Sequence, residues 1–199
     1  KNLFDMMDRE LRKFVMPVYL TMGNHEHVGI TAESKIDDTH PMWGKRMYEK
    51  RYGNPYYTFQ YGGWKFFILD GIKILKSEKN YTQWIDSLQI GWIRKELLAT
   101  DKSVPIVISI HPPLINPHAI SNPGTEALSS NSAAVLNLFR DHNLKIVLEG
   151  HTHLYMNLLF NGIHYISGGS TAPGTNLSDN GFILIHIKNG SEEVHFVQP

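Results

Sequence analysis

The chain has 199 residues, with 19 Lys plus Arg against 19 Asp plus Glu, and no cysteine. That length suits a single domain, residues 1–199, able to bury on the order of 70% of the surface its unfolded form exposes. Balanced charge gives no steering toward a nucleic-acid backbone or an anionic membrane. The absence of cysteine excludes disulfides, a thiol nucleophile and thiolate metal ligation.

Taken in order, Leu3, Met6, Met7, Leu11 and Phe14 recur at helical intervals and predict a helix over 3–14, broken before Pro17. Val18 to Met22 reads as a buried strand running into Gly23-Asn24-His25-Glu26. Residues 27–56 form a polar and aromatic excursion with a short helix around 43–51. Tyr57–Tyr61 and Trp64–Asp70 predict a hairpin across Gly62-Gly63. Residues 81–98 predict an amphipathic helix whose apolar stripe is Trp84, Ile85, Leu88, Trp92 and Leu98, with Lys95 and Glu96 outside it.

Val104 to Ile110 is the next buried strand and leads into His111-Pro112-Pro113. Residues 112–130, rich in Pro, Asn and Ser, predict a loop beside the site. A helix over 132–142 precedes the strand Ile146 to Leu148 and Gly150-His151-Thr152-His153. Short strands around 158–160, 164–166, 182–187 and 194–197, separated by Asn-Gly and Gly-Gly turns, predict antiparallel pairing. No apolar run approaches the ~18 residues of a membrane-spanning helix.

Three motifs carry the chemistry, and each follows a strand-like run. Imidazole binds borderline divalent metals in its neutral form, with its second nitrogen held by a neighbour. His151 and His153 are two residues apart, so both rings can address one cavity. Gly150 permits a close backbone approach. Asn24 can ligate through its amide oxygen without adding charge, which leaves His25 to handle a proton. No phosphate-binding Gly-rich loop with Lys and Ser/Thr is present, and Ser109, Ser121 and Ser167 lie in no nucleophile-elbow pattern.

On these motifs the chain resembles the calcineurin-like metallophosphoesterases, nearest their bacterial phosphodiesterase-like and purple-acid-phosphatase-like branches. The likeness extends to Pro55-Tyr56-Tyr57-Thr58-Phe59, Ile68-Leu69-Asp70 and Gln89-Ile90-Gly91-Trp92-Ile93. It implies an α/β fold, a four-layer α/β/β/α sandwich of two mixed sheets with helices outside. It also implies two divalent ions (Mn, Zn or Fe) and a phosphate-ester substrate. By that resemblance Asn24, His111 and His151 bind the second metal, His153 binds the first, and His25 protonates the leaving group.

Members of that family open with an Asp-x-His pair and a Gly-Asp whose carboxylate bridges both ions. Upstream of Asn24 this sequence offers only Asp5 and Asp8, both in the predicted helix and read as solvated surface. The expectation is therefore a domain incomplete at its N-terminus. It should hold at most one weakly bound ion and be inactive or weakly active unless completed. An oligomer covering an exposed sheet edge is one route to completion. The opposing reading is a binding or structural protein with a degenerate fold of the same kind. His27, His40, His118, Asn116 and Tyr56 are loop residues within reach of the cavity. A chain opening with Lys-Asn-Leu-Phe gives no basis for judging localisation.

Overall fold

A computed structural model describes residues 3–115, 131–169, 181–188 and 191–198. Predicted contributions of Asn116, His118 and the remainder of the 116–130 segment lie outside these residues. The elements in order are α1 (Leu3–Leu11), a 3-10 turn (Asn24–Glu26), α2 (Arg46–Tyr52), β1 (Tyr57–Tyr61), β2 (Trp64–Leu69), β3 (Ile72–Leu75), β4 (Asn80–Gln83) and α3 (Ser87–Leu98). They continue with β5 (Pro105–Ile110), α4 (Ser132–Leu138), β6 (Asn143–Glu149), β7 (Tyr155–Phe160), β8 (Ile163–Gly168), β9 (Phe182–Lys188) and β10 (Ser191–Val197).

Six strands form one mixed sheet in the order β1-β2-β5-β6-β8-β7. The inner four, β2, β5, β6 and β8, run parallel, while β1 and β7 close the edges as antiparallel partners. The sequence of β5, Ile106-Val107-Ile108, is buried on successive residues, as a parallel strand covered on both faces requires. On one face, Phe67, Leu69, Ile106, Ile108 and Val147 pack with Ile93 and Leu97 of α3 and Val135 of α4. On the other, Trp64, Val107, Ile146 and Ile166 pack with Ile183, Ile185 and Val194 of the antiparallel β9–β10 pair. The result is the α/β fold expected, with helices, main sheet and a second β layer stacked in turn.

A bulge decides which β6 residues face which layer. Consecutive residues Ile106 and Val107 of β5 stand opposite Leu144 and Ile146, so Lys145 is the extra residue. One inserted residue reverses the alternation of side chains beyond it. Leu144 and Val147 therefore both join the helix-side core, and Glu149, two residues on from Val147, follows onto that face.

Several sequence-based expectations change. The segment 18–22 forms no strand and pairs with none among the described residues. Its backbone is met by side chains instead: Leu20 N–H donates to Tyr57 Oη at 2.9 Å, and Tyr57 and Tyr48 both donate to Leu20 O. Tyr19 stacks on Phe59, and Thr21 shares a hydrogen bond with Ser109 of β5, so this segment lies on the β9–β10 side of the sheet. The long helix over 81–98 also proves shorter. Residues 80–83 pair with β3, and α3 begins only after Asp86, whose carboxylate caps Gln89 N–H at 2.8 Å. That start turns the buried face to Gln89, Ile93 and Leu97, while Leu88 and Leu98 of the predicted stripe are exposed.

Asp5 is surface, as expected, and Asp8 is half-buried, but both carboxylates are paired. Arg51 donates to both, at 2.7 and 2.5 Å, and Tyr52 donates to Asp8 at 2.6 Å, which fastens α1 to α2. The Tyr52 hydrogen bond is the leading cause that holds the Asp8 carboxyl below its ordinary range.

At the end of β2, Asp70 is buried, paired with Lys45 and bracketed by Gln89, which bonds both its N–H and its C=O. The next residue must be glycine. A Cβ on Gly71 would stand 2.3 Å from Cγ and 2.6 Å from Cδ of Pro112. A proline ring has no rotamer by which to move aside, so Gly71→Ala is expected to destabilise by about 1–3 kcal/mol. Urea denaturation would read this as a lowered midpoint at unchanged slope; an unchanged midpoint would refute the contact.

Candidate metal site

The carboxyl ends of the parallel strands are where open α/β sheets place their sites. Here β5 ends at Ile110-His111 and β6 at Glu149-Gly150-His151, and Gly150 N–H donates to His111 O at 2.9 Å. That bond joins two of the motifs through the backbone. The third motif is carried by the segment after Met22, outside the sheets. Gly23-Asn24-His25-Glu26 folds as a 3-10 turn closed by Glu26, whose Oε2 accepts the Gly23 N–H at 2.8 Å.

The convergence point is a trio of side-chain atoms. His111 Nε2 lies 2.8 Å from Asn24 Oδ1 and 3.2 Å from His151 Nδ1. Donor atoms about 2.0–2.1 Å from one zinc-like ion would stand roughly 2.9–3.4 Å apart. The His111–His151 spacing falls in that range and the His111–Asn24 spacing just short of it, and the donor chemistry, two imidazoles and an amide oxygen, suits a borderline divalent cation. Among the described residues, no three His, Asp or Glu side chains cluster for a metal, so the trio depends on its amide.

Burial is the largest cause holding the His111 imidazole down at a pKa of about 4, and the positive charges that His151, His25, His153 and His27 can carry add to it. His111 is therefore neutral, as a ligand must be, across the physiological range. Two of the candidate residues sit in left-handed backbone, His151 at φ +68° and His153 at φ +58°. Residues other than glycine adopt this region at a cost of order 1–3 kcal/mol, and such strain gathers at ligand clamps. The rings of this pair are thus set by a tight turn and not by strand alternation.

Asn24, His111 and His151 are brought together in the trio. His25 and His153 come within electrostatic reach of His111. His25 also lines a largely apolar cavity of about 260 Å³ with Phe4, Met7, Leu20, Tyr48 and Tyr52. His27 is buried behind the turn, its Nδ1 2.9 Å from Gly23 O, and has a structural place. His40 serves its own loop by accepting the Met42 N–H, and Tyr56 packs on Trp92. His164 pairs with Asn157, and His186 with His195 across β9–β10.

Two residues near the motifs, one of them touching the trio, escape sequence reasoning. Tyr81 accepts a hydrogen bond from Asn24 Nδ2 at 2.9 Å, but the apolar period placed it in a helix. Glu149 is buried, and its Oε1 accepts the N–H groups of Leu114 and Ile115 at 2.7 and 3.3 Å. The signal for Glu149 was a lone acid in an apolar strand just before the Gly-His pair.

Fold and site together define an α/β protein carrying an imidazole- and amide-lined site at the carboxyl ends of a parallel sheet. The profile of the Calcineurin-like phosphoesterase family (Metallophos) matches residues 2–155, and the chain belongs to that family. Its type is that of a metallophosphoesterase hydrolase. No curated protein matches the chain.

Proposed function

We propose that this chain holds one divalent cation, weakly, through Asn24, His111 and His151, as half of a centre for phosphate-ester hydrolysis. The observation that carries this reading is the convergence of Asn24 Oδ1, His111 Nε2 and His151 Nδ1. All three donors are neutral, so the positive charge of a bound ion is left to attract an anionic phosphate. Such an ion supplies Lewis-acid polarisation of a phosphoryl oxygen. His25 gives a proton to the departing alkoxide, a role its placement beside the trio and at the rim of the neighbouring cavity supports. Glu26 holds the turn that presents both Asn24 and His25. His153 contributes to a second ion only where carboxylates complete it, in a longer protein or across an oligomer. Phosphodiesters are the proposed substrates, after the branches the motifs most resemble.

The shortage of carboxylates around the trio favours a second reading, a fold of this family used for binding without turnover. One experiment separates them. Metal per chain is measured after Mn²⁺ or Zn²⁺ loading and dialysis without chelator, followed by assay of hydrolysis of bis(4-nitrophenyl) phosphate. One ion per chain that disappears in His111→Ala, with slow hydrolysis lost in the same variant, supports the proposal. Metal without hydrolysis favours the binding reading, and no retained metal overturns the ligand assignment and leaves only a binding or structural role without metal.

A further inference from the structure

An amide ligand has a problem that a carboxylate does not. Its oxygen and nitrogen are nearly the same size, and only the oxygen can bind a cation or accept a hydrogen bond. Asn24 must therefore be held against rotation by 180° about its last side-chain bond. A flipped amide would aim N–H groups at His111 Nε2 and displace a cation. Something has to accept the Asn24 Nδ2 protons, and the 3-10 turn that carries Asn24 supplies no side chain that does so.

The acceptor comes from the β3–β4 hairpin, 57 positions along the chain. Tyr81 Oη receives the Asn24 Nδ2 hydrogen at 2.9 Å. Tyr81 is a strand residue paired with Ile74, and Lys79, at φ +46°, turns the chain into β4 just before it. The hairpin is itself anchored: Ile72 is buried, and its N–H donates to the buried Asp70 at 3.1 Å. The phenol thus sits on a fixed arm. With Nδ2 engaged, Oδ1 is left facing His111 Nε2 at 2.8 Å. In this arrangement Tyr81 Oη accepts from Nδ2 while the amide oxygen is turned to the imidazole.

We infer that Tyr81 is a positioning residue, which locks the Asn24 amide with its oxygen toward the cation site and acts on metal binding only through Asn24. This rests on the reading of Asn24 as a ligand. Partners that orient ligands in this way typically change metal affinity 10- to 100-fold when removed.

The test is a double-mutant cycle on the full chain, with Zn²⁺ titrated calorimetrically into wild type, Tyr81→Phe, Asn24→Ala and the double variant. Side-chain amide resonances of Asn24 are followed by ¹⁵N NMR in wild type and Tyr81→Phe. Tyr81→Phe should weaken Zn²⁺ binding 10- to 100-fold and shift the Asn24 amide protons. In the Asn24→Ala background the same change should have no further effect. A Tyr81→Phe affinity equal to wild type, with Asn24→Ala clearly weakened, overturns the positioning role and leaves the ligand set standing. Equal losses from Tyr81→Phe in both backgrounds overturn it too, because a general structural defect would do that. An Asn24→Ala affinity equal to wild type overturns the ligand assignment and the positioning role together.

Discussion

Glu149→Gln is expected to flatten the dependence of folding stability on pH between about 4.5 and 8. Burial is the dominant cause that pushes the Glu149 carboxyl up to about 8, against the lowering effect of the Leu114 and Ile115 N–H groups. The folded chain then carries a proton on Glu149 that the unfolded chain, near its ordinary 4.5, has released. Where the folded state binds more protons, stability falls as pH rises. The contribution is whole below about 4.5, declines through that window and levels off above 8. Over the full interval this is worth roughly 5 kcal/mol as an upper bound.

His111 acts in the opposite sense. Its folded pKa lies below the unfolded one, so its contribution is complete above 6.5 and is lost as pH falls toward 4. Comparing pH 6.5 with pH 8.5 therefore isolates Glu149. Urea denaturation of metal-free protein should show the wild type losing roughly 2 kcal/mol more than Glu149→Gln between these conditions. Parallel profiles for the two proteins would sink the assignment. The amide keeps an oxygen for Leu114 and Ile115, so any common loss of the turn at 112–115 is not confounded with the charge.

Gly23→Ala is expected to break the metal site at a modest expense in stability. A Cβ there would meet His111 Nδ1 at 2.9 Å, His111 Cε1 at 3.0 Å and Glu26 Oε2 at 3.0 Å. The carboxylate is the end of a flexible chain and can swing away. The imidazole can yield only by giving up the contacts that its other nitrogen makes with Asn24 and His151. The ring must shift, taking Nε2 out of the trio. Overpacking of this kind costs about 1–3 kcal/mol, and displacement of a ligand should lower Zn²⁺ affinity at least about 10-fold. Gly150→Ala is the control, since its Cβ would stand 3.4 Å from the same ring nitrogen, an ordinary contact. Equal loss of metal binding in both variants would show that the close approach at Gly23 is not what matters.

Both predictions concern residues that the linear chain describes unevenly. The alternation and apolar runs of β2, β5 and β6 were legible because buried parallel strands must be apolar on both faces. Gly62-Gly63 marked the β1–β2 turn, and positive φ at both glycines explains why. The three motifs were legible as well, because each follows an apolar run, although only the second and third stand at the end of such a strand. Other features were lost to competing signals. Apolar spacing in 81–98 matched a helix, yet the Asp86 cap starts α3 later and frees Tyr81 for β4. The segment 18–22 has strand composition, but a ladder needs a neighbour, and tyrosine hydroxyls meet Leu20 instead.

The sequence by itself determined the α/β class, the order of the inner strands' chemistry and the identity of the candidate ligands, since these follow from residue type and local period. Only the tertiary structure decided which atoms meet. Residues 24, 81, 111 and 151 are joined by contacts whose chain separations no periodicity encodes. The face on which Glu149 lies was set by a single-residue bulge at Lys145, and its raised pKa by the core closing around it. Burial and long-range register are properties of the packed chain, and they are what turn a row of histidines into a site.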